Sequence, residues 1–228
     1  MSIPYSKDFV KELTTIIKSE IGAHLQDGVA DLKSRQNKRV IIPNNAIYVE
    51  IARNNLTDVF EDKSSPRPLI IMPFIFEPNN PQEVAIWLGF VARFENDKQG
   101  QGLSLISISI SLIRGSQTKS YILRAEWDSR SIANADHAQP HWHAIPGRPL
   151  FDDPSEGRWS NVQSNLHLAM CAKWRAIADE GNFSHAHQFQ EKDVISWVTK
   201  TLKYARGQME QCLKNYPMTE NVGKEMFF

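Results

Sequence analysis

Between residues 69 and 128 the polar and apolar positions recur in twos. LSLISISISLI (103–113) sets Ile106, Ile108, Ile110 and Leu112 on one side and Ser107, Ser109 and Ser111 on the other. Successive strand side chains point to opposite faces, so this alternation predicts a half-buried strand. SYILRAEWD (120–128) alternates too, with Tyr121, Leu123, Ala125 and Trp127 on one face and Ile122, Arg124, Glu126 and Asp128 on the other. EVAIWLGFVARF (83–94) is apolar on both faces, as a central, covered strand is. LIIMPFIF (69–76) is strand-like, but Pro73 has no N–H to donate, which places it at an edge or a bulge. The turn sequences EPNNP (77–81), NDKQGQG (96–102) and Arg114-Gly115-Ser116 separate these runs and make them an antiparallel meander.

Toward both ends the period lengthens. Phe9, Leu13, Ile16 and Ile17 predict an amphipathic helix over 6–26, with Ser6 as N-cap, Asp8 in the first turn and Gly28 ending or bending it. Val162, Leu166, Ala169, Met170 and Ile177 mark a helix over 161–179, and Val194, Val198, Leu202, Ala205 and Met209 mark another over 190–214. The stretch 29–62 is less legible. RVIIP (39–43) reads as a short strand, AIYVEIARNNLTDVF (46–60) fits neither period, and DKSSPRP (62–68) is a loop. PGRPLFDDPSEGRWS (146–160) is a long loop by its Pro and Gly content. The expectation is an α+β fold, with a meander of about five strands and N- and C-terminal helices packed on one face. All 228 residues are expected in one domain: a helical N-terminal region over 1–62, a sheet core over 68–146 and helices over 160–215.

Charge and composition narrow the class. Lys and Arg number 26 and so do Asp and Glu, for a net charge of zero. A protein living on phosphate contacts shows a basic excess, so a dedicated DNA-coating protein is disfavoured. An enzyme acting on a nucleic acid or nucleotide at one local site is compatible with it. The two cysteines, Cys171 and Cys212, have no metal-knuckle spacing, which favours a reducing compartment. The N-terminal MSIPYSKDF has no apolar signal core, and no window approaches the ~20 apolar residues of a membrane span. A cytoplasmic protein without membrane contact is expected.

DHAQPHWH (136–143) packs three of the seven histidines into eight residues. Alternation through HWHAI puts Trp142 and Ala144 on one face and His141, His143 and Ile145 on the other. If this segment pairs beside 120–128 and Trp142 faces the core, then Arg124, Glu126, Asp128, His141 and His143 share the polar face of adjacent strands, with the serine row 107–111 beside them. Two histidines at i and i+2 with a carboxylate nearby can hold Zn²⁺ or Mn²⁺ and leave positions for water. His141 and His143 are thus the candidate metal ligands. Glu126, Asp128 and His137 are the candidate catalytic groups, and Arg124 and Arg130 the candidate holders of an anionic substrate. Every basic residue of 120–160 is an arginine (124, 130, 148 and 158), which suits planar anions. The glutamate that follows HWH in double-stranded-barrel metal sites is missing, since Ala144-Ile145-Pro146-Gly147-Arg148 follows instead.

Weaker signals remain. His185 and His187 form a second His-x-His just before the last helix. His167 and Cys171 stand four apart on the expected 161–179 helix and, joined to His141 and His143, would close a structural zinc site. Cys212 is read as core. No Gly-rich phosphate loop and no Gly-x-Ser-x-Gly elbow occurs.

The enzyme reading is a hydrolase of a phosphodiester or similar anionic ester. A non-catalytic subunit is the alternative, with the histidines as a rim or zinc clasp and the apolar end Met226-Phe227-Phe228 docking on a protein partner. A metal-free, ribonuclease-like acid/base pair of histidines is the third. The polar face of an antiparallel sheet is ordinarily just solvated, and cross-strand pairs there add only modest stability.

Overall fold

The computed structural model describes residues 3–21, 32–36, 46–61, 67–77, 80–96, 102–115, 119–128, 140–144, 167–169 and 190–215. These residues form an α+β arrangement in which every strand pairing is antiparallel.

The longest strand is β5, Asn80–Asn96, the run read as central. On one side its residues Ile86–Asn96 pair with β6, Leu103–Arg114, which pairs with β7, Ser120–Asp128. The other side of β5 is shared. β4, Leu69–Glu77, takes its first half, and β2, Ile47–Ile51, takes its second. β3, Asp58–Phe60, extends β4, and β1, Leu32–Gln36, extends β2. Beyond β7 lie β8, His141–Ala144, and β9, His167–Ala169. Strands β4 to β8 pair with one another in chain order, and the described residues place them in a sheet of nine strands rather than about five. The N-terminal region over 1–62, expected to be helical, supplies three of them. Its 46–60 stretch fits no single period because it holds two short strands with a turn between. In that turn the Asn54 side chain accepts from the backbone N–H groups of Leu56 and Thr57. Pro73 stands where expected. Its strand pairs with β3 only through Leu69–Ile71, and the register with β5 shifts just after Pro73.

Helix α1 spans Lys7–Glu20, and the Ser6 hydroxyl accepts from the Phe9 N–H at 3.0 Å as its cap. Helix α2 spans Glu191–Asn215. The two are joined where the Arg206 guanidinium donates to the Glu20 carbonyl. Phe9, Leu13 and Ile17 of α1 and Val194, Trp197, Val198, Leu202 and Ala205 of α2 are buried in one cluster with sheet residues Phe90, Phe94, Ile108, Ile110, Leu112, Ala125 and Trp127. Trp142 packs against that cluster, half-buried. This apolar contact decides which way every other residue of β6, β7 and β8 faces.

Two bulges amend the simple alternation. Between β6 and β7 the register passes from Leu112↔Leu123 to Ile113↔Tyr121, leaving Ile122 as an extra residue. Ile122 therefore packs on the main core. Tyr121 turns to the opposite face, where it joins Phe60, Ile71, Ile113 and Trp87, its ring 4.8 Å from that of Phe60. The second bulge omits Ile106 from the β5–β6 register, and Leu105 enters the core in its place.

Three further expectations need correction or fall elsewhere. A strand, β9, occupies 167–169 inside the expected 161–179 helix, because the free edge of β8 offers hydrogen-bonding partners that outweigh helical periodicity. The rest of that helix, RVIIP and Gly28 lie outside the described residues. Cys212 is exposed. The apolar stripe of α2 continues from Ala205 and Met209 to Leu213, four residues on, and Cys212 stands one position off it. Among the described residues no helix is long and apolar enough to cross a membrane.

Candidate metal centre

β8 pairs directly with β7. The register sets Leu123 opposite Ala144, Arg124 opposite His143, Ala125 opposite Trp142 and Glu126 opposite His141. Directly opposed residues share a face, so burial of Ala125 and packing of Trp142 on the core send Arg124, Glu126, His141 and His143 to the other side together. The serines line up beside them: Ser107 opposite Asp128, Ser109 opposite Glu126 and Ser111 opposite Arg124.

Three of these side chains converge. His143 Nε2 lies 2.5 Å from Glu126 Oε2 and 3.0 Å from His141 Nε2, and His141 Nε2 lies 3.9 Å from the same carboxylate oxygen. The imidazole rings are 4.7 Å apart and tilted by 60°. With those three separations, a point about 2 Å from all three atoms exists, which is the length of a zinc–nitrogen or zinc–oxygen bond. His141 is 2% exposed, His143 11% and Glu126 27%, so the centre is sheltered on the histidine side and open on the carboxylate side.

The convergence is hard to explain by hydrogen bonding alone. A neutral imidazole carries one N–H, and His143 Nε2 faces both a carboxylate oxygen and a second ring nitrogen. One N–H can serve both only as a bent, three-centre bond, whereas one cation can satisfy all three atoms.

The other Glu126 oxygen, Oε1, lies 3.0 Å from Arg124 Nε. Burial pushes the Glu126 carboxyl up, but the His143 hydrogen bond and the Arg124, His143 and His141 charges more than offset it, and its pKa is lowered. Glu126 is thus kept as a carboxylate, the form a metal ligand needs. Arg124 orients it from behind, as outer partners of metal-binding carboxylates do.

Asp128 is on the same face two residues along β7, opposite Ser107, and is not part of the converging group. His137, Arg130, His185, His187 and Cys171 lie outside the described residues. His167 is not helical. It stands on β9 opposite His143, a placement that residue spacing did not signal because three residues are too few to show a period of two. The Cys171 partnership by helical i,i+4 spacing does not apply to a His167 on a strand.

No family model matches the chain, and no curated protein or solved structure matches it significantly.

Proposed function

We propose that Glu126, His141 and His143 bind a divalent metal ion, and that the protein uses this centre to hydrolyse a phosphodiester or similar anionic ester. The observation that carries the reading is the convergence of one carboxylate oxygen and two Nε2 atoms within 3.9 Å. Two histidines and one carboxylate are a ligand set used by zinc hydrolases and by open divalent centres generally.

Bound there, a metal ion would bring a water molecule toward ionisation near neutral pH and withdraw charge from a phosphoryl oxygen. The chain supplies the rest. Glu126 and the two imidazoles fix the position. Arg124, 28% exposed beside the carboxylate, presents a guanidinium to the anionic ester while it steadies Glu126. Asp128 is the candidate acceptor of the water's proton. As the new oxygen–phosphorus bond forms, the bond to the departing alcohol breaks and that oxygen takes up a proton. The serines of β6 add hydroxyl donors on the same face. His137 and Arg130 keep the roles of second acid/base group and second anion holder.

The test is hydrolysis of bis(4-nitrophenyl) phosphate by protein loaded with zinc or manganese, with and without chelator, beside a His141→Ala/His143→Ala variant. Turnover that needs metal and disappears in the variant supports the reading. Stoichiometric metal with no hydrolysis of this ester or of single-stranded nucleic acid would leave a structural centre and remove the hydrolase.

A further inference from the structure

The sheet face that carries the histidines holds a second group of charges three strands away. Tyr48 of β2 is opposed to Arg93 of β5, Arg93 to Ser107 of β6, and Ser107 to Asp128 of β7. Opposed residues share a face, and Asp128 is two residues from Glu126, so this row lies on the face of the metal centre. Two guanidinium groups stand around Tyr48, Arg67 Cζ 4.2 Å and Arg93 Cζ 6.0 Å from the ring centroid. Each is tied to a glutamate. Arg67 Nη2 lies 3.3 Å from Glu50 Oε2, and Arg93 pairs with Glu95.

The layering gives these pairs a direction. The side chains of Arg67 and Arg93 are 32% and 34% exposed, those of Glu50 and Glu95 only 6% and 1%. The carboxylates lie beneath and the guanidinium groups outside, so solvent meets two positive groups although the four charges sum to zero. Arg93 Nε is itself buried and has no hydrogen-bond partner among the described residues. A buried donor left without a partner is ordinarily satisfied by a water or an ion.

We propose, building on the hydrolase reading above, that Arg67, Tyr48 and Arg93 form a second anion subsite, and that the substrate is a single-stranded nucleic acid with one phosphate there and another at the metal centre. β5 and β8 are three strand spacings apart, about 14 Å. No small ester covers that span, whereas a short run of nucleotides does. Arg67 lies over Tyr48, and guanidinium planes stack on the unpaired bases that a single strand presents. A subsite that supplies its charge locally also accords with a chain whose net charge is zero.

The experiment is fluorescence anisotropy of a labelled oligothymidylate against the full-length protein over a range of salt, in chelator and again with manganese. Wild type is compared with the variant Arg67→Gln/Glu50→Gln/Arg93→Gln/Glu95→Gln. Replacing each pair whole keeps the net charge and leaves no buried charge unpaired. The variant is expected to bind about tenfold or more weakly, with a salt slope shallower by about 1.4, since each single-strand phosphate contact contributes about 0.7. Loss of a merely structural ion pair would not move that slope. A folded variant with wild-type affinity and slope would overturn the inference. Should it not fold, Arg67→Lys/Arg93→Lys keeps both charges but loses the planar fork, and unchanged binding there overturns the inference equally. Wild type without affinity in either condition overturns the subsite while metal-dependent cleavage of the small ester stands. Binding through these arginines without any ester cleavage would instead remove the hydrolase and keep the subsite.

Discussion

Glu126 is the register partner of His141, yet its carboxylate sits closer to His143, at 2.5 Å against 3.9 Å. The short contact is diagonal. It runs from one register pair, Glu126↔His141, to the next, Arg124↔His143, and draws both imidazoles toward one carboxylate oxygen. The shared centre therefore lies between two rungs of the β7–β8 ladder, and each residue around it has a separable effect.

Glu126→Gln keeps the shape of the side chain and removes its charge. Metal affinity is expected to fall by about a hundredfold or more, beyond the tenfold to hundredfold loss typical of outer partners. Mass spectrometric metal content after dialysis against a weak chelator is the measurement. Near-stoichiometric metal in this variant would show that the carboxylate is not a ligand.

Arg124→Gln leaves the three converging atoms in place but releases Glu126 Oε1. Metal affinity is expected to drop by roughly tenfold. For the anionic ester, KM is expected to rise while turnover at saturation changes less. A kinetic comparison at saturating metal separates the two effects. An unchanged KM would restrict Arg124 to orienting Glu126.

At Gly89 anything larger meets the side chain of Leu69, which would have to move aside. A Cβ at this position would stand 2.4 Å from Leu69 Cδ2 and 3.0 Å from its Cγ. Gly89→Ala is expected to destabilise by about 1–3 kcal/mol, the range for overpacked cores. The Leu69→Ala/Gly89→Ala pair should lose less than the sum of the single changes, because the clash is gone. Thermal unfolding of the four proteins checks it, and strict additivity would mean the strand shifts instead.

Glu77 ends β4, only 8% exposed, and its Oε1 has no hydrogen-bond partner among the described residues. Burial, with Glu83 nearby, raises its pKa above the ordinary glutamate range. The folded state then holds the proton more tightly than the unfolded state, so this group favours folding at low pH and costs stability as pH rises through its folded pKa. Glu77→Gln is expected to be more stable than wild type at pH 7, by a degree or a few given about 2–4 °C per kcal/mol at this chain length. The advantage should vanish near pH 4. A benefit independent of pH would assign it to something other than the carboxylate.

What residue order determined by itself was the central strands and, within each strand, which polar residues lie together; their pairing then put these sets on one face. Ser107, Ser109, Ser111, Arg124, Glu126, His141 and His143 share a face because the period of a strand is two and their apolar neighbours are buried. α1 and α2 were legible for a similar reason, each carrying one apolar stripe and, for α1, a serine cap. Tertiary structure decided the rest. Short strands such as β1, β3 and β9 carry too few residues to display a period and exist because a neighbouring edge needs partners. The bulge at Ile122 exchanges the faces of Ile122 and Tyr121, since one extra residue inverts everything before it. Which carboxylate meets the imidazoles was also beyond the sequence. Glu126 and Asp128 are equivalent under alternation, and only the β7–β8 register, fixed by packing Ala125 and Trp142 on the helical side, brings Glu126 alone to the histidines.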